Sequence, residues 1–417
     1  MDKTVSYGCV KGIVTPPSSK SYAQRAIALS LLAKGQSILR NIEFCKDTRY
    51  ALKCIEALGA KVTFIDESTI AIDGGLNPIT DTLLVGESGL ATRLFTPIAS
   101  LHHSPISIQG EGTLLHRPMM LMIEPLRQLG VKVLDGGGHL PIQVQGPIHG
   151  GKIEVDGSFS SQFITGLLLA LPMAQEETTL KVKNPVSTPY IDMTIDTARS
   201  FGVEIMHNEG DYTEFFIEGG QEYTPTDLSI EGDWSGASTI LVAGALAGEV
   251  TLKNLSTLSK QADTAICRAL ERAGAGLIIE QDSITVQKRP LKGFTFDATN
   301  CPDLFPALAA LAAAAEGETT LIGTSRLRHK ESDRAETIRQ EYEKLGIEVD
   351  LSEDNIMKIK GGEIHPATTF SHNDHRIAMS IAVSALRCKG EVVIENAECV
   401  EKSYPTFFED LDSIIIR

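Results

Sequence analysis

The feature that most constrains the fold of this chain is a pattern that occurs six times, about every 70 residues. Each copy contains a short polar segment, an apolar helix-forming segment, a small or charged break and a β-forming segment. The six copies open at Ser21, Ser88, Ser160, Ser235, Cys301 and Asn373. A repeat of this length is one supersecondary unit, whose copies pack together because one copy cannot bury its apolar face alone. The repeat therefore predicts six copies of one small unit.

The first helix of each copy is apolar on nearly all sides, as in SSQFITGLLLALPMA and SGASTILVAGALAG. Helices of this kind are buried, so their polar openings are expected at an edge of the fold. A helix start carries unpaired N–H groups and the positive end of the helix dipole. Several such starts that open together would form an anion-binding site.

The second helix of each copy is amphipathic and ends at a glycine, as in ALKCIEALGAKVTFI and TIRQEYEKLGIEVDL. Apolar residues recur at positions i, i+3, i+4 and i+7, and the glycine stands where a left-handed C-cap is expected. The last copy, FFEDLDSIIIR, is degraded. Each copy is therefore predicted to be β-α-β-α-β-β, with one buried helix, one covering helix and sheets as walls.

The chain has 417 residues, which is too long for one ordinary core and fits two domains of roughly 200 residues. We predict an α/β (α+β) fold of two similar domains, each with three repeat units around buried parallel helices. Domain I comprises residues 1–18 plus 229–417, and domain II comprises residues 19–228. A strand near PTDLSIEGDWSG is expected to end the third unit. Without a Pro/Ser-rich linker, the boundary favours a tight hinge, which Asp233 is expected to mark.

Composition excludes several classes of function. Lys and Arg number 38 against 54 Asp and Glu, and this net charge of −16 would repel nucleic acid and anionic membranes. Seven scattered cysteines, none spaced as CxxC, indicate free thiols in a reducing cytoplasm. The segment MDKTVSYGCVKG lacks the apolar core of a secretory signal, and no apolar stretch reaches the about 18 residues that span a bilayer. We expect a cytoplasmic protein without nucleic-acid or membrane partners.

Against this acidic background, eight cations lie at corresponding edges of the repeats: Lys20, Arg25, Arg93, Arg117, Lys330, Arg334, Arg376 and Lys402. A charge beside a buried helix needs an anionic partner, and arginine offers a planar fork for phosphate or carboxylate. The pattern predicts a small ligand that carries both groups. Asp303 and Glu331 then remain as candidate base and acid. The competing explanation is a solvated charged face.

Two further groups of polar residues have ordinary explanations beside the functional one. Ser160, Ser161 and Gln162 are neutral donors at a helix start and suit a phosphate, although helix capping alone also explains them. His372 and His375 could begin a zinc site, but no third ligand has suitable spacing, so no metal site is expected.

The chain resembles one family over essentially its whole length. The segments PPSSKSYAQRA, GESGLATR, DGSFSSQF, STPYIDMT, EGDWSGAS, RHKESDR, NDHRIAM and EKSYPTFFE follow the order of signatures in the 5-enolpyruvylshikimate-3-phosphate synthase family. The resemblance implies the enolpyruvyl transferase fold, an inside-out α/β barrel in each domain, with the active site in the cleft between them. It also implies transfer of the enolpyruvyl group of phosphoenolpyruvate to the 5-hydroxyl of shikimate 3-phosphate by a monomer, without metal or organic cofactor.

The resemblance also implies roles for individual residues. Phosphoenolpyruvate would be held by Lys20, Gly89, Arg117, Gln162, Arg334, Arg376 and Lys402. Shikimate 3-phosphate would be held by Lys20, Ser21, Arg25, Ser160, Ser161, Gln162, Ser187, Tyr190, Asp303, Arg326 and Lys330. Asp303 would be the base on the 5-hydroxyl and Glu331 the acid that protonates the methylene carbon. Lys20 and Lys402 would share the proton transfers around a tetrahedral intermediate, whose charge the cations would stabilise.

The chain departs from the family pattern in three places. The usual GNAGT reads GESGL, which places Glu87, Ser88 and Leu90 beside the expected phosphoenolpyruvate pocket. Arg326 stands where an asparagine often contacts the shikimate phosphate, and PSSKS replaces PGSKS. We expect the bulk at Ser88 and Leu90 to weaken the inhibitor glyphosate more than phosphoenolpyruvate.

Three alternative functions compete with this one. UDP-N-acetylglucosamine enolpyruvyl transferase has a cysteine in the loop before its Arg-Pro pair, whereas this loop is GEGTLLHRP with His116. The RNA 3'-phosphate cyclase group shares the repeat unit, but the net charge and the absence of its nucleotide-binding signature disfavour it. A catalytically inactive anion-binding relative is disfavoured because Lys20, Asp303 and Glu331 are present.

Overall fold

The structure is a computed structural model that describes residues 1–208, 210–328 and 330–416. The chain divides into two compact units. The continuous unit is Ser18–Ile230, and the discontinuous unit combines Met1–Pro17 with Glu231–Arg417. The chain thus crosses between the units after Pro17 and after Ile230, where the sequence prediction put the crossings after residues 18 and 228.

Two types of helix alternate along the described residues. The helices are α1 (Lys20–Leu32), α2 (Lys46–Ala57), α3 (Gly89–Ala99), α4 (Met120–Gln128), α5 (Ser161–Ala170), α6 (Thr188–Ser200), α7 (Trp234–Ala247), α8 (Ile266–Ala273), α9 (Phe305–Ala314), α10 (Arg334–Lys344), α11 (His375–Ala385) and α12 (Phe407–Ile414). The odd-numbered helices are buried over nearly their whole length, whereas the even-numbered helices have exposed faces. The predicted alternation of buried and covering helices is confirmed.

The ends of these helices follow the sequence signals. Five of the buried helices have Ser or Asp N-caps whose side chains accept a backbone N–H, namely Ser19, Ser88, Ser160, Asp233 and Asp374. The sixth, α9, follows a short 3₁₀ turn at Pro302–Leu304 instead. The predicted glycines after the covering helices all have positive φ: Gly59, Gly130, Gly202, Gly274 and Gly346. The left-handed conformation therefore explains why glycine recurs there.

The strands are short and spread evenly over the described chain. They are β1 (Lys3–Ser6), β2 (Cys9–Val14), β3 (Gly35–Arg40), β4 (Lys61–Phe64), β5 (Ile70–Gly74), β6 (Thr82–Leu84), β7 (Ile106–Gln109), β8 (Lys132–Asp135), β9 (Ile142–Gln145), β10 (Gly151–Asp156), β11 (Thr178–Lys183), β12 (Met206–His207), β13 (Glu214–Ile217), β14 (Asp227–Ser229), β15 (Gly248–Lys253), β16 (Gly276–Ile279), β17 (Ser283–Gln287), β18 (Thr295–Asp297), β19 (Glu318–Ile322), β20 (Glu348–Asp350), β21 (Ile356–Lys360), β22 (Ala367–Phe370), β23 (Glu391–Glu395) and β24 (Ile415–Ile416).

The strands form sheets with one recurring topology. In the continuous unit the orders are β6-β7-β9-β8, β10-β11-β13-β12 and β14-β3-β5-β4, and the first pair of each sheet is parallel while the others are antiparallel. In the discontinuous unit the orders are β18-β19-β21-β20, β16-β17-β15-β2-β24 and β1-β23-β22. The predicted β-α-β-α-β-β repeat is confirmed, with a shorter last copy.

The strands next to the two crossings, β2 and β14, pair with strands of repeats that are distant in the sequence. Strand β14 pairs in parallel with β3, with Asp227 opposite Ile38. Within the discontinuous unit, strand β2 pairs in parallel with β15, with Val10 opposite Gly248. The expectation that the strand near PTDLSIEGDWSG ends the third repeat is therefore wrong, because this strand completes the sheet of the first repeat. Asp233 caps α7, and its backbone N–H donates to the Pro17 carbonyl across 2.8 Å.

Close helix packing positions the residues of the continuous unit. A Cβ added at Gly166 in α5 would lie 1.8 Å from the carbonyl oxygen of Arg93 in α3, so only glycine allows this approach. The contact brings the start of α5 beside Arg93.

None of the helices in the described ranges is long and apolar enough to cross a membrane.

Candidate functional site

Charged side chains gather at the openings of the buried helices in both units. We call the group in the discontinuous unit the Asp303 cluster; its members are Asp303, Lys330, Glu331, Arg334, Asp374 and Arg376. We call the group in the continuous unit the Gly89 cluster; its members are Gly89, Arg93, Arg117 and Gln162. A separate set of bonds surrounds Arg25 in the same unit.

Arg334 holds the Asp303 cluster together. It is the first residue of α10, and its side chain is fully buried. Its guanidinium donates to Asp303 Oδ1 at 2.9 Å, to Glu331 Oε2 at 2.7 Å and to Asp374 Oδ2 at 2.9 Å. Asp374 also accepts the backbone N–H of Arg376 at 3.0 Å as the N-cap of α11. One buried cation therefore joins three carboxylates, a pairing that offsets the burial of its charge.

Asp303 faces three cations. Besides Arg334, Lys330 Nζ lies 3.2 Å from Oδ1 and Arg376 Nη2 lies 3.8 Å from Oδ2. Burial raises the pKa of Asp303, but Lys330, Arg376 and Arg334 outweigh it and hold this pKa well below its usual range. The carboxylate is therefore ionised at neutral pH, the state that a general base requires, and a quarter of its side chain is exposed.

Lys402 and Arg326 also lie in the discontinuous unit. The Lys402 ammonium donates to the carbonyl oxygen of Asn373 across 2.8 Å, just before α11. Arg326 donates from Nη1 to the carbonyl oxygen of Thr299 across 3.0 Å. Burial lowers the pKa of Arg326 to about 10.

Sequence reasoning missed two carboxylates of this unit. Asp374 could have been found, because an aspartate directly before a buried helix is a typical N-cap. Asp263 is fully buried and accepts a hydrogen bond from the Ser235 hydroxyl at the fourth helix opening. Burial, together with the charge of Asp303, raises the pKa of Asp263 to about 6. The fourth opening thus carries a buried acid beside Ser235.

The Gly89 cluster places two guanidinium groups at the start of α3. A Cβ added at Gly89 would lie 2.7 Å from Nη1 of both Arg93 and Arg117. Arg93 donates to Gln162 Oε1 across 2.6 Å, and its guanidinium lies 4.6 Å from the ring centroid of Phe163. A helix start with two adjacent arginines is an arrangement that favours a phosphate or carboxylate.

Arg25 links three helices of the continuous unit while keeping its charge available. It is 1% exposed. Its four hydrogen bonds run to neutral oxygens of Ser21, Thr165, Tyr190 and Thr194, at 2.7 to 3.4 Å. Burial lowers the pKa of Arg25 to about 10. A buried cation among neutral partners is stabilised when an anion binds beside it.

The other predicted residues of this unit occupy helix starts. Lys20 opens α1 and pairs with Asp47 Oδ2 at 3.0 Å. Ser160 caps α5 by accepting the Gln162 N–H at 3.3 Å, and Ser161 is the first residue of that helix. Ser187 precedes α6 with φ +54°. Helix capping explains the bond that Ser160 makes.

His372, one of the two histidines considered for zinc, pairs with a carboxylate. His372 Nε2 lies 2.8 Å from Glu341 Oε1. Across residues 1–208, 210–328 and 330–416, no group of three or more His, Cys, Asp or Glu could hold a metal ion.

Comparisons with known proteins agree on one family. The family model for EPSP synthase (3-phosphoshikimate 1-carboxyvinyltransferase) matches residues 6–411. A curated 3-phosphoshikimate 1-carboxyvinyltransferase of Clostridium perfringens is 38% identical over 97% of this chain and 96% of its own length. The enzyme of that name from Methanosarcina acetivorans is 37% identical over 100% of this chain and 98% of its own length.

Solved structures also superpose on nearly the whole chain. An EPSP synthase from Acinetobacter baumannii superposes with a TM-score of 0.83 at 27% identity, covering 99% of this chain and 98% of the other. The enolpyruvyl transferase NikO from Streptomyces tendae superposes with a TM-score of 0.80 at 18% identity, covering 99% and 96%. The second likeness is one of fold alone.

Proposed function

Because the chain belongs to the EPSP synthase family, we propose that it transfers the enolpyruvyl group of phosphoenolpyruvate to the 5-hydroxyl of shikimate 3-phosphate. The products are 5-enolpyruvylshikimate 3-phosphate and inorganic phosphate. The reaction is a transferase step of aromatic amino-acid biosynthesis. The observation that carries the proposal within the site is the Asp303 cluster, where an ionised, partly exposed carboxylate stands among Lys330, Arg334 and Arg376.

Asp303 and Glu331 carry the proton transfers in this proposal. Asp303 takes the proton from the 5-hydroxyl as that oxygen bonds to C2 of phosphoenolpyruvate. Glu331, in its protonated form, gives its proton to C3, and the addition yields a tetrahedral intermediate. The Glu331 carboxylate then takes a proton back from the new methyl group as the C2–O bond to phosphate breaks and the double bond is restored. Lys20 and Lys402 assist these transfers as donors near the reacting oxygens.

The donor substrate needs several cations in this proposal. Its phosphate and carboxylate are assigned to Lys20, Gly89, Arg117, Gln162, Arg334, Arg376 and Lys402. The guanidinium of Arg117 beside the start of α3 supports the assignment, because helix N–H groups and arginine both favour oxyanions. Fixed positive charge of this kind stabilises the negative charge that develops on the departing phosphate.

The acceptor substrate is assigned to the set around Arg25 and to part of the Asp303 cluster. These residues are Lys20, Ser21, Arg25, Ser160, Ser161, Gln162, Ser187, Tyr190, Asp303, Arg326 and Lys330. The neutral surroundings of Arg25 support a role in binding an anion. Arg326, which replaces the frequent asparagine, adds a charge that can pair with the shikimate phosphate.

An assay of acceptor choice tests the proposal. Purified protein is incubated with phosphoenolpyruvate and either shikimate 3-phosphate or UDP-N-acetylglucosamine, and released phosphate is followed. We expect release only with shikimate 3-phosphate, in protein treated with a chelator as well as in untreated protein. Release only with the nucleotide sugar would replace the proposal by the alternative enolpyruvyl transferase, although His116 stands in a loop where that family carries a cysteine.

A separate part of the proposal concerns assembly and location. We propose that the chain acts as a monomer and that it works in the cytoplasm.

A further inference from the structure

We propose that Glu87 is a positioning residue for Arg117, acting through Thr113, and that it thereby sets the affinity for phosphoenolpyruvate. The inference rests on the proposed function of the Gly89 cluster. Glu87 stands where the family pattern has a neutral amide, so its charge beside an anion site requires an explanation. The contacts of Glu87 supply one.

The Glu87 carboxylate binds the loop that leads to Arg117. Its Oε2 atom accepts the backbone N–H of Thr113 at 3.1 Å and the Thr113 hydroxyl at 3.2 Å. Hydrogen bonds to a charged acceptor are roughly twice as strong as neutral ones. Two of them on one residue fix the loop at that point.

The loop is shaped around this carboxylate. Gly112 has φ +57°, and a Cβ there would lie 2.4 Å from Glu87 Oε2. The left-handed conformation favours glycine here, and a side chain at this position would displace the Glu87 carboxylate. The preceding residue, Glu111, donates its backbone N–H to the Gly86 carbonyl at 2.9 Å. The two loops thus run side by side.

The same loop ends at Arg117. A 3₁₀ turn spans Gly112–His116, and Arg117 follows it with its backbone N–H donating to Leu114 at 3.1 Å. Leu114 is fully buried, so the turn is fixed in the core on one side and tied to Glu87 on the other. The Arg117 guanidinium reaches Gly89, two residues after Glu87 in the sequence.

These contacts distinguish two roles for the charge. If Glu87 positions Arg117, then removing its oxygens weakens binding of the anion, and a glutamine keeps most of the effect by retaining an acceptor. If Glu87 instead acts through its negative field, removing the charge strengthens anion binding. The alanine variant therefore gives opposite results under the two roles. The glutamine variant binds the anion like the wild type under the first role and more tightly under the second.

Steady-state kinetics of Glu87→Ala, Glu87→Gln and Thr113→Val test the inference. We expect Glu87→Ala to raise KM for phosphoenolpyruvate about tenfold, with KM for shikimate 3-phosphate changed less than about twofold. Glu87→Gln should stay close to the wild type. Thr113→Val should raise KM for phosphoenolpyruvate to a lesser extent and add nothing in the Glu87→Ala background, since both changes break one contact.

Thermal melts of each variant check that the protein is folded. If Glu87→Ala does not fold, the two single variants Glu87→Gln and Thr113→Val carry the test. An unchanged or lower KM for phosphoenolpyruvate in Glu87→Ala overturns the inference, as does an equal rise in both KM values. In those cases the wild type still releases phosphate, and the proposed function stands. A wild type that releases no phosphate overturns the proposed function and this inference together.

Discussion

Arg334 donates a hydrogen bond from Nη1 to Oδ1 of Asp303 across 2.9 Å. The same guanidinium binds Glu331 and Asp374, so the proposed base and the proposed acid share one buried cation. This relationship links the stability of the discontinuous unit to the chemistry assigned to it. Chemistry and stability can nevertheless be tested separately, because different variants affect each.

Replacing Asp303 tests its role as the base. Asparagine fills the same space but cannot take a proton, so Asp303→Asn should lower kcat by about 10² to 10⁴. The measurement is phosphate release at saturating concentrations of both substrates. Asp282→Asn, in an exposed turn of the same unit, should leave the rate unchanged. Full turnover in Asp303→Ala would remove Asp303 from the base role.

Replacing Arg334 tests the cost of the shared cation. Arg334→Met leaves three carboxylates without their buried partner, and we expect the free energy of unfolding to fall by about 3 to 5 kcal/mol. Urea unfolding followed by circular dichroism measures the change. The control is Arg339→Met on the same helix, whose pairs with Glu336 and Glu343 lie at the surface, so its effect on the free energy of unfolding should be much smaller. Equal losses in the two variants would contradict this account of Arg334.

Glu341 predicts a pH dependence of stability. Burial raises the pKa of Glu341, but its bonds with His372, Lys344 and the Phe370 N–H outweigh this and lower the pKa below its ordinary 4.5. The stabilisation is therefore complete above pH 4.5 and is lost as the pH falls through the lowered folded-state pKa.

Unfolding free energies measured from pH 7 down to acid should therefore fall less steeply for Glu341→Gln than for the wild type. The matched control is Glu343→Gln, since Glu343 is exposed on the same helix. Identical slopes for Glu341→Gln and the wild type would show that this carboxylate is not stabilised as described.

Glyphosate inhibition tests the departure at Ser88 and Leu90. Ser88 caps α3, accepting the Ala91 N–H at 3.3 Å, and Leu90 is 6% exposed. We predict that Leu90→Thr, which removes bulk and restores a hydroxyl, lowers the inhibition constant for glyphosate more than KM for phosphoenolpyruvate. A wild-type inhibition constant as low as that of sensitive family members would contradict the prediction.

The fold follows from the sequence where the signals are local. Capping residues such as Ser88 and glycines such as Gly59 act within one turn of chain, and the repeat brings the same local signals back in each copy, so their pattern predicts the elements. Strand exchange is not local. The pairing of β14 with β3 joins residues almost 190 positions apart, for example Asp227 with Ile38, and no periodicity specifies it.

The candidate site shows the same division. Positive residues at helix openings are visible in the sequence, which is why Lys20, Arg117 and Arg376 could be named. Their partners depend on tertiary packing. The burial of Asp263 and the bond from Thr113 to Glu87 arise from loops whose paths no short motif encodes.

The measurement that tests the central claim most directly is a ³¹P and proton NMR record of one reaction mixture containing the protein, phosphoenolpyruvate and shikimate 3-phosphate. The account predicts that the phosphoenolpyruvate signal falls while inorganic phosphate rises in equal amount, with new vinyl protons on a product that keeps the shikimate phosphate. Phosphate that appears while shikimate 3-phosphate remains unchanged, or no change at all, would contradict it.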